Sequence, residues 1–272
     1  MKKIITLGFL LLFQFVQAQT AHHFTIPGYI GSGAYSKRFT DVFSFVSNPA
    51  VVPSEKAIQV GVYAEKKFLL NELNQYVLAI SIPAPGASIG ILSNYVGFAN
   101  YSETQVGVAY AKNLGAIHLG TRFNYSNIRI AGYGTNGFIH ADIGMIWQVS
   151  EKLFTGVHLK NIVFSSLSGT KEEKPGLIYT MGIGYEISEA VFLSSEINKE
   201  ESNPLTLLIR LQYKAGDRLT FRAGINTLTA SPFLGAGWKW NNIRLEITGG
   251  FHPQLGVTPG LLLIFVPQKK QS

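Results

Sequence analysis

Stretches of strand length in which apolar and polar residues alternate recur from residue 57 to residue 266, and that period of two excludes most folds. Val106, Val108 and Tyr110 oppose Gln105, Gly107 and Ala109. Leu205, Leu207, Ile209, Leu211 and Tyr213 oppose Thr206, Arg210, Gln212 and Lys214. Ile243, Leu245 and Ile247 oppose Arg244, Glu246 and Thr248. About fourteen such segments follow one another, each near the length a tilted strand needs to cross a bilayer. No helical period of comparable length interrupts them.

The connections support the same reading. Turns at 83–86, 113–115, 150–152, 188–190, 215–218 and 241–242 are short. Between them lie longer connections at 66–75, 94–102, 127–136, 165–175, 199–204 and 252–257, and only 229–231 breaks the series. Short turns alternating with long loops are how a membrane barrel separates its periplasmic side from the outside. The expected fold is therefore all-β, a transmembrane antiparallel up-and-down barrel over residues 57–272.

The first eighteen residues read as a signal peptide (1–18). Lys2 and Lys3 precede the apolar run 4–13, and Val16, Gln17 and Ala18 form a small-residue cleavage site. The mature chain is expected to begin at Gln19, and N-terminal sequencing of the membrane fraction checks this. The formal charge of +7 becomes +5 when Lys2 and Lys3 leave. The remaining basic residues are scattered, a pattern that argues against nucleic acid as a partner. The chain contains no cysteine, so disulfides, thiolate metal sites and cysteine nucleophiles are excluded. With 46% hydrophobic residues and no second apolar run of helix-spanning length, the composition suits a barrel that turns alternate residues to lipid.

Residues 19–56 have no such period. Within them, 43–53 is apolar but broken by Pro49 and Pro53, so it suits neither a long helix nor a central strand. A barrel of this size has a lumen to fill, and 19–56 is expected to be a plug or periplasmic segment centred on Ser47, Asn48, Pro49 and Ala50. The inward strand faces carry glycines that leave space, among them Gly61, Gly107, Gly120, Gly144, Gly156, Gly182, Gly184, Gly224, Gly235 and Gly237. They also carry a lumenal polar network: Arg122, His140, Asp142, Arg210, Arg222, Lys239, Arg244 and Glu246. Arg210, Arg222, Lys239 and Arg244 offer donors to the carbonyls of the plug.

Nothing in the chain points to an enzyme, a metal or a cofactor. His140 and Asp142 point the same way two residues apart, but no third ligand is evident. There is no Gly-x-Ser-x-Gly and no phosphate loop. Trp147, Trp238, Trp240, Tyr110, Tyr185 and Tyr213 fall near strand ends on the apolar face, where girdle aromatics sit.

A barrel of this size preceded by Ser47-Asn48-Pro49-Ala50 resembles the FadL-type superfamily of outer-membrane proteins. Within it, the short chain and the ending Leu255, Gly256, Thr258, Pro259 and Gly260 are most similar to the Bacteroidetes PorV/PorQ proteins. The PorP/SprF family is the near alternative. The PorV/PorQ likeness implies an accessory, cargo-binding role in type IX secretion at the outer membrane of a Gram-negative, Bacteroidetes-like cell. Its partners would be membrane lipid, secretion-machinery components and exported proteins. The wider FadL likeness implies instead a transporter with a small hydrophobic ligand.

Overall fold

The computed structural model describes residues 27–53, 57–166, 176–200 and 203–267. The predicted signal peptide, residues 19–26, and the acidic pair Glu172-Glu173 lie outside them. Fourteen strands follow in order: β1 (Gln59–Lys66), β2 (Asn74–Ala84), β3 (Ala87–Gly97), β4 (Tyr101–Asn113), β5 (Ile117–Ile130), β6 (Gly134–Gln148) and β7 (Leu153–Ser166), then β8 (Ile178–Glu186), β9 (Val191–Glu200), β10 (Thr206–Ala215), β11 (Leu219–Asn226), β12 (Ser231–Trp240), β13 (Ile243–His252) and β14 (Gly256–Phe265). Each pairs antiparallel with its neighbours in sequence, and β1 closes on β14 with Val60 opposite Phe265. Closure leaves no strand edge unpaired, which is what a sheet needs to stand in hydrocarbon.

One end of the barrel, the turn end, carries the tight connections. The β2–β3 turn is only Pro85 and Gly86, with Gly86 at a φ of 64°. The other end, the loop end, is less open than the sequence predicts. Only residues 98–100 join β3 to β4, and only 131–133 join β5 to β6. The predicted long loops 94–102 and 127–136 are mostly strand. Asn94 of the first is lumen wall: it is fully buried and accepts from Gln75 Nε2 at 3.0 Å. A real loop remains at 67–73. As a result β4 to β7, at 13 to 15 residues, form a wall taller than the rest.

The two faces divide as the alternation predicts. Val106, Val108, Tyr110, Ile209 and Leu211 are exposed on the outside, while Gln105, Ala109, Arg210 and Gln212 are buried inside. A continuous apolar exterior of this kind is a surface for lipid, since water has nothing to gain there. The six predicted girdle aromatics are all outward and all near the turn end, because each lies late in an even-numbered strand that runs from loop end to turn end. Tyr213 stacks on Phe221 at 6.4 Å within this belt.

The expected result for Ile209→Arg is a loss of about 2–4 kcal/mol of barrel stability, because the charge enters the bilayer. Thr206→Arg, which points into the cavity described below, should change stability by no more than about 0.5 kcal/mol. Urea titration of heat-modifiable gel mobility compares the two. Equal losses would mean that the faces are displaced by one residue.

Residues 27–53 lie inside the barrel. They form two limbs. The first, 27–41, is a series of turns. The second begins at Val42, makes the short helix α1 (Ser44–Ser47) and ends in a turn at Pro49 and Ala50. The principal apolar cluster lies here rather than between sheets. Ile30, Tyr35, Val42, Phe43, Val46 and Ala50 of this segment pack on Tyr63, Val77, Leu92, Ile146, Leu262 and Ile264 of the wall. Seven of the ten inward glycines, Gly61, Gly120, Gly144, Gly156, Gly182, Gly184 and Gly235, are bays that admit it. A Cβ built on Gly182 would stand 2.0 Å from the Tyr35 ring, one on Gly61 2.5 Å from Val42, and one on Gly120 2.2 Å from the Pro49 carbonyl oxygen.

Candidate functional site

The second limb is held through its carbonyl groups. Arg122 Nη1 donates to Val46 O at 3.1 Å, His158 Nδ1 to Ser47 O at 2.7 Å, and Ser88 Oγ to Val51 O at 3.0 Å. A carbonyl only accepts, so His158 carries its proton on Nδ1. Asn48, fully buried, donates to Val157 O at 3.1 Å and accepts from Ala50 N at 3.0 Å. Its amide thus serves both the wall and its own turn, and Pro49 fixes the chain just after it.

Three charged groups on the wall position these contacts. In the first, Arg122 and Asp142 face each other across β5 and β6, with Arg122 Nη2 2.7 Å and Nε 3.0 Å from Asp142 Oδ2. Asn124 Nδ2 donates to the same oxygen at 3.1 Å. The other oxygen accepts Asn161 N at 3.0 Å, where β7 bulges between the partners of Ala141 and Ile143 and Asn161 takes a φ of 61°. The carboxylate thus stands in for a missing ladder partner. His140 sits beside this group, 3.0 Å from Ser126 Oγ and 3.8 Å from Asp142 Oδ1. The trio has the order of a hydrolase triad. Ser126 is fully buried and Asp142 is engaged by Arg122, Asn124 and Asn161, so neither access nor a free orienting carboxylate is present.

In the second group, Arg210 grips Glu196 with both nitrogens, at 2.8 and 3.2 Å, and donates from Nε to Gly28 O at 3.1 Å. The third gathers on Asp41 of the first limb. Arg222 and Arg244 approach its Oδ2 at 2.8 and 2.7 Å, and Arg244 reaches Glu246 at 2.8 Å. Burial pushes the Asp41 carboxyl up, but the two guanidinium groups outweigh it and hold the group down at about 2. Tyr29 completes the cluster by donating to Glu246 at 2.5 Å.

Seven of the eight predicted network residues therefore meet in these clusters. Arg222 and Arg244 hold a carboxylate instead of the predicted carbonyls. Lys239 departs altogether. It has the inward parity but lies one residue from the end of β12, exposed at the rim. Asp41, Glu196, Tyr29 and Glu186 are the members that sequence reasoning missed. Glu186 accepts from Ser36 Oγ, Lys37 N and Arg38 N at 2.6 to 3.0 Å.

Above the segment, at the loop end, a cavity of about 570 Å³ remains. Tyr29, Ile30, Val46, Leu208 and Phe233 give it apolar walls, and Asn198, Thr206, Asn226 and Thr248 give it polar ones, with Lys67, Lys160 and Arg210 and the acids Glu65, Glu196 and Glu200 as its charged lining. Lys160 is half-buried and, among the described residues, forms no ion pair. The nearby acids Asp142 and Glu196 are already taken by Arg122 and Arg210. Phe68 hangs over the rim with its ring edge-on to His252 at 5.6 Å. Phe68 and the following Leu69 both have left-handed backbone, φ 55° and 60°, and the Phe68 N–H is tied to Thr258 Oγ1 at 3.1 Å.

A closed fourteen-strand barrel with a lipid-facing exterior and a lumen filled by its own N-terminal segment is an integral β-barrel membrane protein. No protein-family model matches the chain, and no curated protein does. Among solved structures it is similar to the Pseudomonas putida toluene transporter TodX, with a TM-score of 0.65 at 10% identity over 89% of this chain and 98% of that one. It is also similar to the Ralstonia pickettii toluene transporter TbuX, with a TM-score of 0.60 at 8% identity over 88% and 95%. At such identities the likeness is one of fold.

Proposed function

We propose that the protein is an outer-membrane transporter of the FadL type for small hydrophobic and amphipathic molecules. The observation that carries this reading is the loop-end cavity, apolar on its floor and ready-made above a packed plug. Its size is ample, since an apolar void of about 150 Å³ already holds benzene. Solved structures of the same fold are toluene transporters, and the reading extends their role to this chain. The narrower likeness to PorV/PorQ proteins, with its role in type IX secretion, draws no support from these similarities.

Lys160 suggests the polarity of the ligand. A half-buried ammonium with no acid of its own is costly to keep and favours a molecule that brings one. The ligand that suits both parts of the cavity is an aromatic or aliphatic body carrying a carboxylate or sulfonate. Purified protein in proteoliposomes should admit radiolabelled naphthalene-1-sulfonate, which carries a permanent charge and crosses bare bilayer poorly. Entry no faster than into protein-free liposomes would reject transport. Lys160→Ala should weaken equilibrium binding of this probe by about tenfold to a hundredfold, the range of a hydrogen bond to a charged group. Binding of neutral naphthalene-1-methanol should stay the same.

A further inference from the structure

A second void lies on the far side of the plug. It has a volume of about 180 Å³, opens at the turn end, and is lined by Val51, Ile146 and Phe154 with Lys37, His118 and Gln148. It thus repeats in miniature the mixture of apolar wall and cation found in the loop-end cavity. The two voids are separated by very little chain. Ile30 lines the upper and Ala34 the lower; Val46 and Ser47 line the upper and Val51 the lower. Two three-residue strips therefore form the septum: Gly31, Ser32 and Gly33 on the first limb, and Asn48, Pro49 and Ala50 on the second.

The strips are held unequally. The Asn48 strip is fixed by the amide bonds described above and by the bays at Gly120 and Gly144, where any Cβ would meet Asn48 or Pro49 within 2.2 Å. The Gly31 strip touches the wall through two bonds of 3.4 Å, from Ser32 Oγ to Gln212 and from Ser194 Oγ to Ser32 O. Both are at the weak end of hydrogen bonding. Gly31 has a φ of 78°, which glycine holds without strain, whereas Gly33 lies against Phe39, where a Cβ would stand 2.0 Å from the carbonyl oxygen. Firm anchors bound it on both sides: Arg210 on Gly28 and Glu246 on Tyr29 before it, Glu186 on Ser36 after it.

We propose that the turn-end pocket is a second binding site for the same amphipathic anions, the exit station of a route through the barrel. We assign the barrier on that route to the strip Gly31, Ser32 and Gly33, which swings while Asn48, Pro49 and Ala50 stay fixed. The inference rests on the transport reading and adds to it where the molecule passes.

The absence of cysteine makes a reversible lock the direct test. A Cβ built on Gly31 falls 3.1 Å from Ser47 Cβ, within reach of a disulfide across the septum; the φ of 78° strains a Cys at Gly31, so the reduced Gly31→Cys, Ser47→Cys pair is first matched to the wild-type rate. In proteoliposomes the oxidised pair should admit naphthalene-1-sulfonate more slowly by about tenfold or more, and reductant should restore the rate in the same preparation. Equilibrium binding at the loop-end cavity should persist in both states. The opposite change, Ser32→Ala with Ser194→Ala, removes the two weak bonds without a crosslink and should speed entry several-fold. Should the wild type admit no probe, the transport reading fails and this inference with it. Should the wild type admit it and the oxidised pair admit it equally fast, or the alanine pair leave the rate unchanged, the molecule leaves by another way and only the gate is wrong.

Discussion

Replacing Asp142 with alanine is expected to cost about 3–5 kcal/mol of barrel stability, the penalty for leaving one member of a buried ion pair alone. Arg122 would be left with its guanidinium group fully buried and only the Val46 carbonyl to satisfy it. The same change removes the acceptor for Asn161 N, so the bulge in β7 loses the group that replaces its ladder partner. Asp142→Asn separates the two effects: it retains an oxygen for the bulge and gives up the charge, and should cost less. Converting the pair together, Arg122→Met with Asp142→Leu, should recover much of the loss, because an apolar pair carries no desolvation penalty. Urea titration of the refolded protein gives all three values. A loss below about 1 kcal/mol for the alanine variant would place the pair among weak, solvated ones.

Why the sequence made some of this legible and not the rest follows from what a period of two encodes. Parity tells which face a residue occupies, and so Val108, Ile209, Arg122 and Glu246 lie where alternation puts them. Parity does not tell height along the strand. Lys239 shares the inward face with Gly235 and Gly237 and still ends at the rim, outside the polar clusters. Nor does it tell how full the lumen is. Gln212 reads as a solvated lumen residue, yet it is buried beneath Ser32. The loop pattern misled for a related reason. Asn94 looks like a loop residue by composition, whereas it belongs to the polar inner wall of a long strand. Asp41 and Tyr29 were invisible because the segment that holds them has no period at all. The glycines, by contrast, announced the occupant before its path was known, since space on an inward face must be filled by something.

The largest change in behaviour should come from removing that occupant. Deleting residues 27–53 empties the lumen and leaves the ladder of fourteen strands intact, since every strand bonds to its neighbours and none bonds through the segment. The charged clusters left behind, Arg122 with Asp142 and Arg210 with Glu196, pair within the wall and become solvated, so they need not unfold it. The deletion should therefore give a folded, heat-modifiable barrel with a large, steady conductance in planar bilayers, where the whole protein conducts little. Deleting 43–53 alone is a sharper test. The first limb would remain pinned by Arg210 at Gly28, by Arg222 and Arg244 at Asp41, and by Glu186 at Ser36. Its apolar partners Phe43 and Val46 would be gone, along with the fixed strip Asn48, Pro49 and Ala50. Conductance should then be intermediate and noisy, from a half-plug tethered by charge and no longer packed. Raising the salt concentration should increase it further as those tethers are screened at their exposed margins, Arg38 with Glu189 first. Equal conductance in the whole protein and both deletions would mean that the segment seals nothing.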